Sequence, residues 1–131
     1  MTARILLVED EPQLLELLQK YLRRLNFEVD AFARALDAWS AFETSTHCYD
    51  LVIADLGIPD MSGDALLTRI LGVNPHLLIL ICSGSPFSAS TLPAGMQGQV
   101  GFLQKPFSPK MLSEAIEELL KRQTEFRTQN S

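Results

Sequence analysis

Residues 51–54, Leu-Val-Ile-Ala, put four apolar side chains in a row, two of them β-branched, with the carboxylate of Asp55 directly behind. A strand wetted on one side alternates apolar with polar residues. An unbroken apolar run belongs to a strand covered on both faces, as in a parallel sheet. Gly57 and Pro59 then turn the chain, and Ser62-Gly63 lead into an apolar-periodic segment. In an open parallel sheet the carboxyl ends of the strands form the crevice where ligands bind. Asp55 alone at such an end could as well cap a helix or solvate a loop. The other strand ends decide.

Arg4-Ile5-Leu6-Leu7-Val8 is a second continuous strand pattern, and it ends in Glu9-Asp10-Glu11. Pro12 suits the first turn of a helix, with the acidic residue before it as cap. Leu14, Leu15, Leu18, Leu22 and Leu25 follow at helical spacing to about Asn26. Phe27 to Phe32 alternates apolar residues with Glu28 and Asp30, the pattern of a less buried edge strand. A small-residue helix is expected from Ala35 to about Thr46, with Leu36, Trp39 and Phe42 inward as packing residues.

After the central strand, a helix is expected from about Ser62, as N-cap, to Leu71. Asn74-Pro75 breaks the chain, residues 77–82 read as another buried strand ending at Ser83-Gly84-Ser85, and residues 100–103 as the last one, ending at Gln104-Lys105-Pro106. Ser108-Pro109 opens a final helix with Leu112, Ala115, Ile116, Leu119 and Leu120 on one face. Polarity rises after about Lys121, so residues 1–122 are expected to form the domain and residues 123–131 a frayed tail.

One segment resists the pattern. Parallel neighbours need a crossover, yet between Ser85 and Gln99 stand Pro86, Pro93, Gly95 and Gly98. An interior proline costs a helix about 3 kcal/mol, so only a short or irregular helix of at most two turns is expected there. Strand and helix patterns otherwise repeat five times. That predicts an α/β fold, a three-layer αβα sandwich with right-handed crossovers. The flavodoxin-like (βα)5 order 2-1-3-4-5 sets the first and third strands side by side at the switch point.

A chain of 131 residues fits one domain, 47% hydrophobic and 21% charged. A net charge of −5 argues against a nucleic-acid surface. The short cationic pairs Arg23-Arg24 and Lys121-Arg122 fall at expected helix ends, where they suit the helix dipole. Cys48 and Cys82 lack metal-ligand spacing, and Cys82, at the end of an apolar run, reads as a core thiol. No apolar run approaches the roughly 20 residues of a membrane span, and a strand pattern begins at once, leaving no room for a secretory signal. A soluble, cytoplasmic chain is expected.

In the flavodoxin-like order, Glu9, Asp10 and Asp55 meet at the switch point, and Ser83 and Lys105 arrive from neighbouring strand ends. Carboxylates that converge repel one another unless a cation joins them. Oxygen donors without His or Cys favour a hard cation, and Mg2+ is the common one, usually shared with a phosphate. Lys105 adds a positive point charge and Ser83 a hydroxyl donor. A carboxylate so placed can act as nucleophile and form an aspartyl phosphate, a transfer that needs positioning and charge neutralisation above all.

Leu7-Val8-Glu9-Asp10-Glu11-Pro12, Asp55-Leu56-Gly57-Ile58-Pro59-Asp60-Met61-Ser62-Gly63, Cys82-Ser83-Gly84 and Lys105-Pro106-Phe107 resemble the motifs of the response-regulator receiver domain, the phosphoacceptor module of two-component signalling. Each motif alone is weak. Four at successive strand ends, in order, are specific, and they cover nearly the whole chain. The resemblance implies that Asp55 is phosphorylated by a histidine kinase or a histidine phosphotransfer protein. It implies Mg2+ held by Glu9, Asp10, Asp55 and the Gly57 backbone carbonyl, with Ser83 and Lys105 on the phosphoryl oxygens. Phe102 matches the aromatic switch position coupled to Ser83, and the Lys105-Pro106 bond is expected to be cis. Phe102 has no hydroxyl, so its switching would rest on packing alone.

Gly57 offers no side chain two residues after the acceptor, so easier water access and a short-lived phosphoryl group are expected; Ser85 is a further candidate contributor. The broken segment before the last strand argues against a standard dimer through that face. Output is expected through a protein partner, either as a single-domain regulator or as the receiver of a hybrid sensor kinase, which the run from Gly101 to Phe107 resembles. Two other classes compete. A small Mg2+-dependent phosphatase of the haloacid-dehalogenase type would carry a second Asp where Gly57 stands, and a cap domain. A receiver-like binding module that works without phosphorylation would not need all five site residues. No ordinary enzyme turnover is expected beyond the chain's own phosphorylation and dephosphorylation.

Overall fold

A computed structural model describes residues 3–44, 48–55, 57–58, 60–61, 63–84 and 99–129, with the backbone alone at 63, 64 and 123–129. Five strands, β1 (Arg4–Val8), β2 (Glu28–Phe32), β3 (Leu51–Ala54), β4 (Leu78–Ser83) and β5 (Val100–Gln104), form one sheet. Every pairing is parallel and the order is β2-β1-β3-β4-β5, so the flavodoxin-like arrangement expected from the apolar runs is the one found. Four helices are described: α1 (Pro12–Arg24), α2 (Ala35–Thr44), α3 (Gly63–Val73) and α4 (Pro109–Gln129). The expected irregular helix between β4 and β5 lies in residues 85–98, and the end of α2 toward Thr46 and the Ser62 cap also lie outside the described residues.

The continuous apolar strands have a simple cause. Side chains alternate across a strand, and both faces here are covered. Leu6, Val8, Val52, Ala54, Ile79 and Ile81 point into one layer with α2 and α3. Ile5, Leu7, Leu51, Ile53, Leu78 and Leu80 point into the other with α1 and α4. β2 lies at an edge and shows it, with Glu28 exposed and Val29 buried.

Helix ends follow local chemistry. Leu25, Asn26 and Phe27 close α1 with Asn26 at φ 70°, where Asn26 N–H bonds the Arg23 carbonyl and Phe27 N–H the Leu22 carbonyl. That pair of bonds is a Schellman closure, and asparagine tolerates its left-handed residue. Ser108 caps α4 by accepting from Met111 N–H at 3.2 Å. Glu11 departs from expectation: it stands at the N-cap of α1, but its side chain makes no capping bond.

One other expectation is corrected. Leu36 is 45% exposed, and the inward stripe of α2 is Ala35, Ala38 and Phe42. The small residues face the sheet because they let the helix approach, and Leu36 falls outside that stripe. The backbone of α4 runs on to Gln129, past the rise in polarity near Lys121, since residues 121–129 hold neither Gly nor Pro. Trp39 does pack as expected, its ring 5.9 Å from Phe42 and under the Arg69 guanidinium.

The amino ends of the strands carry a polar bracket. Asp30 accepts from Arg4 Nε at 3.1 Å and from the Tyr49 hydroxyl at 2.7 Å. Burial and the Asp30 carboxylate push the Tyr49 hydroxyl upward from its ordinary value of 10.0. The unfolded chain releases that proton first, so stability is intact below pH 10 and falls as pH rises beyond it. Lys105, also raised from its ordinary 10.5, adds to the same alkaline fall. Urea unfolding from pH 8 to 11.5 is expected to show a shallower decline for Tyr49→Phe than for the wild type; equal slopes would refute the bracket's contribution.

Candidate functional site

Glu9, Asp55, Ser83 and Lys105 each stand at or one step past the carboxyl end of a strand, and Asp10 stands two steps past β1. Val8 and Ala54 are partners in the β1–β3 register, so Glu9 and Asp55 come out at one level. Asp55 N–H still bonds the Val8 carbonyl at 3.1 Å, and Lys105 N–H bonds the Ser83 carbonyl at 2.8 Å. These ladder bonds hold the backbone beneath the side chains. Glu9, Asp55 and Ser83 are all buried, at 1%, 8% and 4% exposure.

Lys105 closes the site. Its Nζ donates to Glu9 Oε2 at 2.8 Å and to Asp55 Oδ2 at 2.9 Å. The remaining oxygens take backbone donors: Glu11 N–H reaches Glu9 Oε1 at 3.2 Å, and Gly57 N–H reaches Asp55 Oδ1 at 3.0 Å. Burial pushes the Glu9 carboxyl up, against the opposing pull of Lys105. Burial also opposes the charge on Lys105, but its bonds to Glu9 and Asp55 prevail and hold the ammonium above its ordinary value.

Asp10, half-buried, completes the group: one carboxylate oxygen each from Glu9, Asp10 and Asp55 lies within 4.8 Å of the others. Three hard oxygen donors at that spacing, without nitrogen or sulfur, fit a hard divalent cation. The Lys105-Pro106 peptide is cis. Phe102, on β5, is 37% exposed. Burial pushes the Cys82 thiol up to about 12, so it stays protonated as a core residue. Ser85 lies outside the described residues.

One residue near the site has no role that periodicity predicts. Asp60, five residues past Asp55, bonds the first two N–H groups of α2, those of Ala35 and Leu36, each at 3.0 Å. The signal available in the sequence is indirect: Ala33-Arg34 before α2 offers no acceptor side chain to cap it.

The family model for the response regulator receiver domain matches residues 5–117. The transcriptional regulatory protein CreB of Escherichia coli (strain K12) is 30% identical over 93% of this chain, which spans 52% of that relative. The sensor kinase CckA of Brucella abortus (strain 2308) is also 30% identical over 93% of the chain, which spans 13% of it. The chain thus spans about half of one relative's length and far less of the other's. Among solved structures, a response regulator receiver domain protein from Clostridium thermocellum superposes with a TM-score of 0.81 at 26% identity, covering 95% of this chain and 98% of that one. Sequence match, fold and the residues at the strand ends converge, and the chain belongs to the response-regulator receiver family.

Proposed function

We propose that this domain accepts a phosphoryl group on Asp55 from a phosphohistidine of a histidine kinase or a histidine phosphotransfer protein. The observation that carries the reading is the Lys105 ammonium bridging Glu9 and Asp55 beside Asp10. In the transfer an Asp55 carboxylate oxygen bonds to phosphorus as the phosphorus–nitrogen bond breaks, and the imidazole leaves with the electron pair. Lys105 and Ser83 hold the phosphoryl oxygens. Glu9, Asp10, Asp55 and the Gly57 carbonyl would hold Mg2+, which neutralises charge on the transferring group.

Phosphorylation draws Ser83 toward the phosphoryl group, and the Phe102 ring turns inward to follow it. That movement changes contacts with a protein partner, not with nucleic acid, which the net charge of −5 disfavours. We assign the receiver to residues 1–122 of a cytoplasmic protein, with residues 123–131 as a tail into which the α4 backbone continues. The run from Gly101 to Phe107 leans toward a hybrid sensor kinase as the parent, with a single-domain regulator as the other reading. The sensor kinase CckA and the regulatory protein CreB match this chain equally well. Among the described residues no helix is long and apolar enough to cross a membrane. Chemistry is confined to the chain's own phosphorylation and dephosphorylation.

Incubation with acetyl phosphate and Mg2+, read by intact mass, tests the reading. Uptake of one phosphoryl group that requires Mg2+ and is lost in Asp55→Asn is expected. No uptake, together with no stable beryllofluoride complex, would overturn it in favour of a binding module.

Phosphoryl lifetime supplies a second test. Among the described residues a Cβ built at Gly57 meets only Asp55 Oδ1, at 3.7 Å, which leaves room there for a side chain. Gly57→Asn and Gly57→Arg are expected to lengthen the lifetime several-fold by shielding the acyl phosphate from water. A longer lifetime in the wild type would contradict that account.

A further inference from the structure

We propose that Asp60 is a positioning residue for the phosphoacceptor site, steadying the backbone of Gly57 after Asp55 by capping α2 from a distance. The inference rests on the receiver reading for its functional consequence and on geometry for the anchor itself.

Ala38 N–H bonds the Arg34 carbonyl at 3.1 Å, so Arg34 occupies the N-cap of α2. A guanidinium carries donors only and cannot satisfy the N–H groups of the first turn. Asp60 does so instead, with one oxygen on Ala35 N–H and the other on Leu36 N–H, each at 3.0 Å. The Asp60 side chain is 13% exposed, and the Arg34 Nε lies 4.0 Å away on the same carboxylate. These two backbone donors hold the Asp60 carboxyl below its ordinary value.

The consequence lies between the two anchors. Gly57 N–H is tied to Asp55 Oδ1 at 3.0 Å, Ile58 is buried in the layer that contains Ala35 and Ala38, and Asp60 is tied to α2. The backbone of Gly57, which the receiver reading makes a metal ligand, is thus held on both sides. Asp60 touches neither the carboxylate cluster nor Lys105 in any described bond. It acts through the backbone that it pins.

A merely structural cap and a positioning residue part company when the cap is rebuilt locally. Asp60→Ala removes the anchor, and Arg34→Asp/Asp60→Ala restores an acceptor at the N-cap without retying the loop. Thermal midpoint, Gly57 amide exchange in the metal-free protein, and Mg2+ affinity by amide-shift titration are then compared with wild type. Expected is a recovered midpoint in the double variant, with Gly57 exchange still at least about tenfold faster than wild type. Mg2+ affinity is expected to stay roughly tenfold weaker, the scale seen when an outer support of a ligand is lost.

Recovery of all three readouts in the double variant would reduce Asp60 to a helix cap and overturn the proposal, as would unchanged Gly57 exchange in Asp60→Ala. Should Asp60→Ala not fold, Asp60→Asn, which keeps one acceptor oxygen, is expected to give intermediate exchange and affinity; wild-type values would overturn the proposal. A wild type that neither binds Mg2+ nor takes up a phosphoryl group would sink the receiver reading, while Gly57 exchange would still decide the anchor.

Discussion

Replacing Lys105 by Met is expected to destabilise the metal-free protein by about 2–4 kcal/mol and to slow phosphoryl uptake by about a hundredfold or more. Lys105 Nζ is the donor that links Glu9 and Asp55, at 2.8 and 2.9 Å, and Glu9 is 1% exposed. Breaking a buried pair leaves its partner charged and dry, which costs more than the pair itself contributes. Glu9 can escape by taking up a proton, since burial already pushes its carboxyl upward.

That escape sets the pH dependence. A carboxyl raised in the folded state favours folding at low pH, and the advantage is lost as pH rises through its folded value. Urea unfolding is therefore expected to show a smaller loss at pH 5 than at pH 8, with added Mg2+ recovering part of it. An equal loss at both values would mean that Lys105 stabilises by packing and not by charge. The kinetic loss has a separate origin: in the proposed transfer the same ammonium would meet negative charge on the phosphoryl oxygens.

Phe42→Ala is expected to cost about 3–5 kcal/mol, a large share of the roughly 5–15 kcal/mol that holds such a domain together. Phe42 is fully buried in the layer under α2 and α3, stacked 5.9 Å from Trp39 and 6.4 Å from Tyr49. Neither ring can slide in without leaving its own contacts, since Trp39 lies under Arg69 and the Tyr49 hydroxyl is bound to Asp30. The cavity therefore stays open. Phosphoryl uptake by the folded fraction is expected to be unchanged, because the site residues hang on strand ends. A cost below about 1 kcal/mol in urea would show that the layer collapses to fill the space.

Much of this molecule is legible in its sequence because two periodicities never compete. Unbroken runs such as 78–81, too short for a helix, read as covered strands, and Glu9, Asp55 and Ser83 follow theirs directly, with Asp10 and Lys105 one residue further on. What escapes is what depends on distance along the chain. The helical wheel of α2 favours Leu36 on size, but the space above the sheet admits only Ala35 and Ala38 there. Asp60 lies 25 residues along the chain from Ala35, whose N–H it caps. Tyr49 and Arg4 meet on Asp30 only once β1 and β2 pair. Local chemistry sets the elements; the sheet decides which distant polar groups meet.

The parallel register has a consequence for tolerated change. The alternation that fills one layer with Val52 and Ala54 and the other with Leu51 and Ile53 also counts out the height at which Asp55 emerges. A residue deleted within β3 would turn those side chains into the wrong layers and draw Asp55 down by about 3.3 Å, away from Glu9 and Lys105. Length variation within the strands is thus closed to this chain for two reasons at once, and packing and chemistry answer to a single ruler.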